Sequence, residues 1–188
     1  MELFKSIMSK FGAAFMALCF VTTFALAAPQ DAQAEGFELG GDFSYVAEVY
    51  KGYDDGHGFA FTLTGGYRFL DWVGVYLDQQ LGGSWYGKHD DEGHFLGSTV
   101  VSAKFFYEVS DLEIWGQFGV GAGYDSYDAG PAKNVSDGAF VLKLGAGVQY
   151  QIMNDLYLGG KFTYQLFAFD DKPNAHVINL GVTVMYQF

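Results

Sequence analysis

The sequence predicts an all-β fold, a single eight-stranded antiparallel up-and-down β-barrel that crosses a membrane, and three observations carry that prediction. Apolar residues recur at every second position from Phe37 onward, the period of strands whose two faces meet different surroundings. Eight such runs tile the chain, joined by connectors that alternate between short and long. The face opposite the apolar one is rich in glycine and carries about one charge per strand, too few for a wall that water must solvate along its whole length.

Residues 1–34 stand apart from this pattern. Lys5 and Lys10 precede an apolar run from Phe11 to Ala28, with small-x-small sites at Ala25-Leu26-Ala27 and Ala32-Gln33-Ala34. This is the pattern of a cleaved secretory signal peptide, with Ala34 the preferred cleavage point over Ala27 or Ala28. A spanning helix is the competing interpretation, but the segment ends in small residues and Pro29 with no basic stop behind it. Cys19, the single cysteine, leaves with the leader, and Leu18 before it does not make a lipoprotein signal. The domain expected at 35–188 then has no thiol, which excludes disulfides, thiolate metal sites and cysteine nucleophiles.

The strands follow in order. The run 37–50 sets Phe37 against Glu38, Asp42 and Glu48, and 58–69 sets Phe59, Phe61 and Phe69 against Arg68. Tyr76 and Asp78 share the polar face of 72–82; in 95–108, Phe95, Phe105 and Tyr107 oppose Lys104, Phe106 and Glu108. The clearest run is 112–124, with Leu112, Ile114, Gly116, Phe118, Val120, Ala122 and Tyr124 opposite Glu113, Trp115, Gln117, Gly119, Gly121 and Gly123. The run 138–152 repeats it, placing Val141, Lys143, Gly145, Gly147, Gln149 and Gln151 on the polar side. Tyr157, Lys161 and Phe167 face inward from 156–167, and 176–188 closes the series. The connectors Leu70-Asp71, Val109–Asp111 and Met153–Asp155 are tight, whereas 51–57, 83–94, 125–137 and 168–175 are long and polar. Pro131 and Pro173 fall in long connectors, as strands that donate every ladder hydrogen bond require.

A soluble barrel with an oily interior would show the same alternation, and charge decides against it. Charged residues are 17% of the chain, against roughly 25% in an average soluble domain. Aromatic residues also cluster at both ends of the apolar face, where a bilayer meets water. Phe37, Phe69, Phe105, Tyr107, Tyr150, Tyr186 and Phe188 lie near the short-turn end, and Phe59, Phe61, Phe95, Tyr124, Phe140 and Tyr164 toward the long-loop end. A closed sheet is then obligatory, because an open edge in hydrocarbon leaves backbone groups unpaired.

Val182, Val184, Tyr186 and Phe188 alternate up to the last residue, and this resembles the C-terminal strand by which bacterial outer-membrane barrels are recognised for assembly. With the strand count and loop asymmetry, residues 37–188 resemble the small eight-stranded outer-membrane β-barrel family that includes OmpX and the transmembrane part of OmpA. The resemblance implies residence in a Gram-negative-type outer membrane, both termini in the periplasm and four loops outside. It also implies contact with outer-membrane lipid and lipopolysaccharide and with the barrel-assembly machinery. No residue follows Phe188, so the wall-binding domain of OmpA-like proteins, and wall anchoring with it, is not expected.

An eight-stranded barrel is only just wide enough for its own side chains. The expected interior is a polar network of Glu38, Asp42, Arg68, Asp78, Lys104, Glu113, Lys143 and Lys161, with Glu48 and Glu108, filled out by Tyr76, Phe106, Trp115, Tyr157 and Phe167. Buried charges survive only when paired, so Lys104→Met is expected to destabilise the barrel by stranding a carboxylate. A narrow, gated pore lined by Glu38, Asp42, Arg68, Asp78, Lys104, Lys143 and Lys161 is the alternative.

All four histidines, His57, His89, His94 and His176, are expected in or beside the long loops. The segment His89, Asp90, Asp91, Glu92 and His94 is a candidate cation site, although its spacing matches neither a calcium loop nor a zinc helix. Solvated loops that keep the barrel soluble in transit are the simpler interpretation. Lys51, Lys88, Lys133 and Lys172 with Tyr53, Trp85, Tyr86 and Tyr127 offer a contact surface for an extracellular protein or glycan. Ser84 or Ser98 with His89 or His94 can be drawn as a hydrolase, but no enzyme motif accompanies them, and no enzyme activity is expected. Gly119–Gly123 alternates within a strand with no helix after it, so it is no nucleotide loop. A net charge of -12 and a pI near 4.4 repel nucleic acid. No cofactor is expected, and the barrel is expected to be a monomer.

Overall fold

The computed structural model describes residues 36–50, 56–86, 93–128, 134–170 and 173–188. It contains eight strands: β1 (Gly36–Tyr50), β2 (Gly56–Leu70), β3 (Val73–Tyr86), β4 (Gly93–Val109), β5 (Leu112–Asp128), β6 (Asn134–Met153), β7 (Leu156–Ala168) and β8 (Ala175–Gln187). Each pairs antiparallel with its neighbours in sequence, and β8 returns to β1 to close the barrel.

The register fixes the size of the interior. Stepping between paired residues from Glu38 on β1 leads through Gly66, Tyr76, Ser102, Gly119, Lys143, Gln165 and Val177 back to β1 at Glu48, ten residues further along. Eight strands with that stagger tilt by about 40°, and strands about 4.8 Å apart then enclose a barrel of roughly 8 Å radius. Ordinary inward side chains can fill an interior of that width.

Three tight turns close one rim, at Asp71-Trp72, Ser110-Asp111 and Asn154-Asp155. Ser110 and Asp155 adopt positive φ, 57° and 69°, a conformation tolerated there because two-residue hairpins must twist with their strands. The turn carbonyls of Trp72, Asp111 and Asp155 accept backbone bonds from Phe106, Gln151 and Gln187, and Phe188 N–H donates to Phe37 at 2.8 Å. These backbone bonds tie each turn to the neighbouring strand.

At the other rim the strands run beyond the expected limits. Residues 83–86, 93–94, 125–128 and 134–137, assigned to loops from their polarity, continue the ladders of β3, β4, β5 and β6. Backbone pairing persists past the bilayer, where both faces meet water and the apolar alternation that marks a strand disappears.

Large apolar side chains cover the outside, including Leu63, Phe118, Leu144, Leu180 and Val182. Trp72 and Trp85 join the two aromatic belts, the latter 6.0 Å from the Phe59 ring; Trp85 had been assigned to a loop. Several glycines allow the walls to meet. A Cβ on Gly121 would fall on the Thr99 carbonyl oxygen and 2.7 Å from Val100 Cα, whereas one on Gly116 meets nothing nearer than Gly145 O at 3.9 Å. Gly121→Val is therefore expected to abolish the folded form that migrates differently on gels before and after heating, while Gly116→Ala refolds with unchanged yield.

Candidate functional site: the filled interior and the outer mouth

The inward side chains form layers. Nearest the tight turns is an arginine-centred layer. Arg68 reaches Glu38 at 2.8 Å, Glu113 at 2.7 Å and Glu108 at 3.2 Å. Its guanidinium lies 3.8 Å over the Phe106 ring. Tyr76 donates to the second oxygen of Glu38 at 2.7 Å, and the Gln149 amide to Glu113. Arg68, Glu38 and Glu113 are buried, but the Glu108 side chain is 55% exposed. Glu108 stands at the rim, two residues from the turn, and not in the interior as expected.

The next layer holds the lysines. Lys143 donates to Asp78 at 2.9 Å, and Asp78 also accepts from Thr64 at 2.7 Å and Ser102 at 3.0 Å. Lys161 pairs with Asp42, which accepts from Ser44 at 3.0 Å. Lys104 differs. Its ammonium sits 4.4 Å from the Tyr76 ring centroid and 5.0 Å from that of Trp115, and among the described residues no carboxylate lies within 4 Å of it. The expected ion pair is replaced by two aromatic faces, so the stranded-carboxylate argument belongs to Lys143 and not to Lys104. Four buried carboxylates, Glu38, Asp42, Asp78 and Glu113, face four buried cations, Arg68, Lys104, Lys143 and Lys161.

Above the lysines the interior becomes neutral. Gln165 donates to Gln80 and accepts from Ser98 at 3.1 Å, and Asn179 donates to Thr163 at 3.0 Å. Then comes an apolar layer, of which the sequence placed Phe167 and Val141 inward without joining them into a layer: Val46, Ala60, Leu96, Val100, Val141, Phe167, Ala175 and Val177, all 2% exposed or less, packed as one cluster with Phe169. Apart from Ala175 and Val177 on β8, each shares strand parity with a predicted charge, as Val46 does with Glu48 and Val141 with Lys143. Parity was the available signal, but the weight given to charge on that face hid it.

The outer mouth lies beyond this layer. Ser84 on β3 and His94 on β4 are register partners. His94 Nδ1 is 3.0 Å from Asp125 and 3.8 Å from Glu48, and both carboxylates are buried. Asp125 pairs in register with Asp137. His94 thus belongs to a strand and faces the lumen, where it had been expected in a loop with His89–Glu92; those four residues lie outside the described ones. Among the described residues no three metal-ligating groups are disposed to hold an ion. The serines of the hydrolase drawing are already committed, Ser84 to Glu48 at 2.9 Å and Ser98 to Gln165. A hydroxyl has one proton to give, and here it goes to a carboxylate and an amide.

The other two described histidines face outward. His57 bonds Tyr45 and His176 bonds Tyr164, each at 2.6 Å, giving matched Tyr–His pairs on β1/β2 and β7/β8. On β8, Val182, Val184, Tyr186 and Phe188 all point outward, with Phe188 against Tyr186 at 4.8 Å and Phe37 at 5.7 Å.

Lys143→Met leaves Asp78 buried with hydroxyl donors only, and is expected to cost about 3–5 kcal/mol in urea-dependent refolding into lipid vesicles. Adding Asp78→Asn should recover most of it. Lys104→Met should cost less, about 1–2 kcal/mol, the scale of a desolvated cation over aromatic rings.

Comparisons place this architecture. Residues 16–188 match the family model described as the outer membrane protein β-barrel domain. The structure is similar to the crystal structure of neisserial surface protein A, at 16% identity and a TM-score of 0.71, covering 81% of this chain and 97% of that one. It is also similar to Ail of Yersinia pestis (16% identity, TM-score 0.57, 82% and 100% covered). OprG of Pseudomonas aeruginosa is a third such structure (14%, 0.50, 86% and 99%). No curated protein matches the chain significantly. The closed eight-stranded barrel, its apolar outer wall and the family match agree: the chain belongs to the outer membrane protein β-barrel domain family and is an integral, multi-pass barrel of a bacterial outer membrane.

Proposed function

We propose that this barrel is a non-conducting element of the outer membrane, with a structural role in the envelope and a contact role at its outer end. The observation that carries this is the sealed lumen. An apolar layer of Leu96, Val100, Val141, Phe167 and Val177, each 1% exposed or less, caps two charge layers whose buried carboxylates and cations balance when taken together. An ion entering from outside would have to shed its water against valine, leucine and phenylalanine. No chemistry is part of this role.

Residues 1–34 act in this reading as a cleaved leader, and the outward series Val182, Val184, Tyr186 and Phe188 serves as the signal read by the assembly machinery. The barrel wall meets lipid and lipopolysaccharide, with the Tyr45–His57 and Tyr164–His176 pairs at the outer boundary. Contacts with an extracellular protein or glycan belong to the long connectors. The neighbour Ail has been crystallised with the heparin analogue sucrose octasulfate. Here the connectors and the strand ends beside them carry ten acidic residues against four lysines, so a neutral or cationic surface fits better than a sulfated one.

The mature barrel reconstituted in a planar bilayer, with insertion established by heat-dependent gel migration, is expected to be electrically silent. Phe167→Ser with Val141→Ser should introduce discrete current steps by wetting the apolar layer. Steps from the unaltered barrel, changed in size by Lys143 or Arg68 substitution, would instead make it a pore.

A further inference from the structure

Between the two aromatic belts the lipid-facing wall is apolar with one interruption. Outward positions on β3 read Val73, Val75, Leu77, Gln79 and Leu81, and on β4 Phe95, Gly97, Thr99, Val101, Ala103 and Phe105. On the other six strands every outward position between the belts is apolar or glycine. Gln79 and Thr99 are register partners, and the Thr99 hydroxyl donates to the Gln79 carbonyl oxygen. Both side chains are half-buried. Gln79 lies seven residues past Trp72 at the turn rim and six before Trp85 at the outer rim, so its amide stands near the middle of the hydrocarbon.

A carboxamide has two N–H donors and an acceptor oxygen with two lone pairs. Thr99 occupies one lone pair, and among the described residues no other side chain bonds Gln79. Acyl chains offer nothing to the remaining donors, and an unsatisfied amide in lipid is costly. The group is, however, complementary to itself. Two copies related by a two-fold axis along the membrane normal bring each Gln79 Nε2 to the other's Gln79 oxygen or Thr99 hydroxyl. Among the described residues on the outward wall of a second copy between the belts, that same pair is the only side-chain hydrogen-bonding group. The net charge of -12 does not oppose the contact, because the acidic residues lie in the lumen or outside the hydrocarbon. Gly83 and Ala103 keep the flanks of the patch low, as close packing in lipid favours.

We propose that the β3–β4 face is the surface through which two copies of this chain associate in the bilayer, with Gln79 and Thr99 at its centre and the exposed Leu81 and Val101 packed around them. This departs from the monomer expected from the sequence.

The test is single-molecule photobleaching of the fluorescently labelled full-length barrel in phosphatidylcholine vesicles over falling protein-to-lipid ratios. Two-step bleaching is expected for the unaltered protein, and Gln79→Leu should raise the dimer dissociation constant about tenfold. Single-step bleaching at every ratio, or an unchanged dimer fraction in Gln79→Leu, overturns the proposal. A second arm stands even if that variant fails to insert. In a Cys19→Ser background, Leu81→Cys should form a disulfide-linked pair and Leu180→Cys, on the far side of the barrel at β8, should not. Equal cross-linking at both positions, or at neither, overturns it as well.

Discussion

Closure of the sheet on itself at eight strands is the constraint from which the rest follows. A membrane-spanning sheet cannot leave an edge in hydrocarbon, and the ten-residue stagger around this barrel then leaves an interior one side chain deep from each wall. Everything placed inside must fit its opposite number. Glycine therefore appears where walls or rings approach, as Gly121 does beside Thr99 and Gly123 beneath the Phe167 ring. The largest inward groups, Tyr76, Trp115 and Phe167, stand opposite such gaps.

Membrane barrels cannot use a hydrophobic interior as their driving force in the usual way, since the outside is already apolar. What replaces it here is a stack of polar layers in which the excess carboxylate beside Arg68 is offset by the excess cation of the lysine layer above it. Arg68 is held by three carboxylates and an aromatic ring, the lysine layer by two ion pairs and an aromatic cage, and the amide layer by glutamine, asparagine and hydroxyl pairs. Removing one member strands its partner in a low dielectric, whereas removing both is mild. The apolar layer above them works differently, through packing and exclusion of water alone. It also stands between the charged interior and the group of His94, Glu48 and Asp125.

The architecture was legible in the sequence because membrane strands obey two constraints at once, apolar outward and small or polar inward, and their period is unmistakable over thirteen residues or more. The three tight turns and eight strands follow from that period alone. Pairing was not legible. Nothing in spacing distinguishes a lysine that meets Asp78 from one that meets Tyr76 and Trp115, because partners come from strands far apart in the chain. His94, Asp125 and Asp137 were assigned to loops for a related reason: beyond the bilayer a paired strand loses its apolar face and looks like a connector. Gln79 and Thr99 hid in the opposite way, each a single polar residue in an otherwise apolar face, meaningful only once the register set them side by side.

The strands are unequal in length, and the inequality is all at the outer end. β5 and β6 run for 17 and 20 residues, while β7 and β8 stop at 13 each. The outer rim is consequently a slope, with a ribbon of paired backbone standing up on one side. A ribbon of this kind has already lost the conformational freedom that a loose connector must surrender when it is gripped. It also has a fixed bearing relative to the other strands of the barrel. Whatever meets the tall side of the barrel is met in one orientation, and that bearing is carried through the wall to every other face of the molecule.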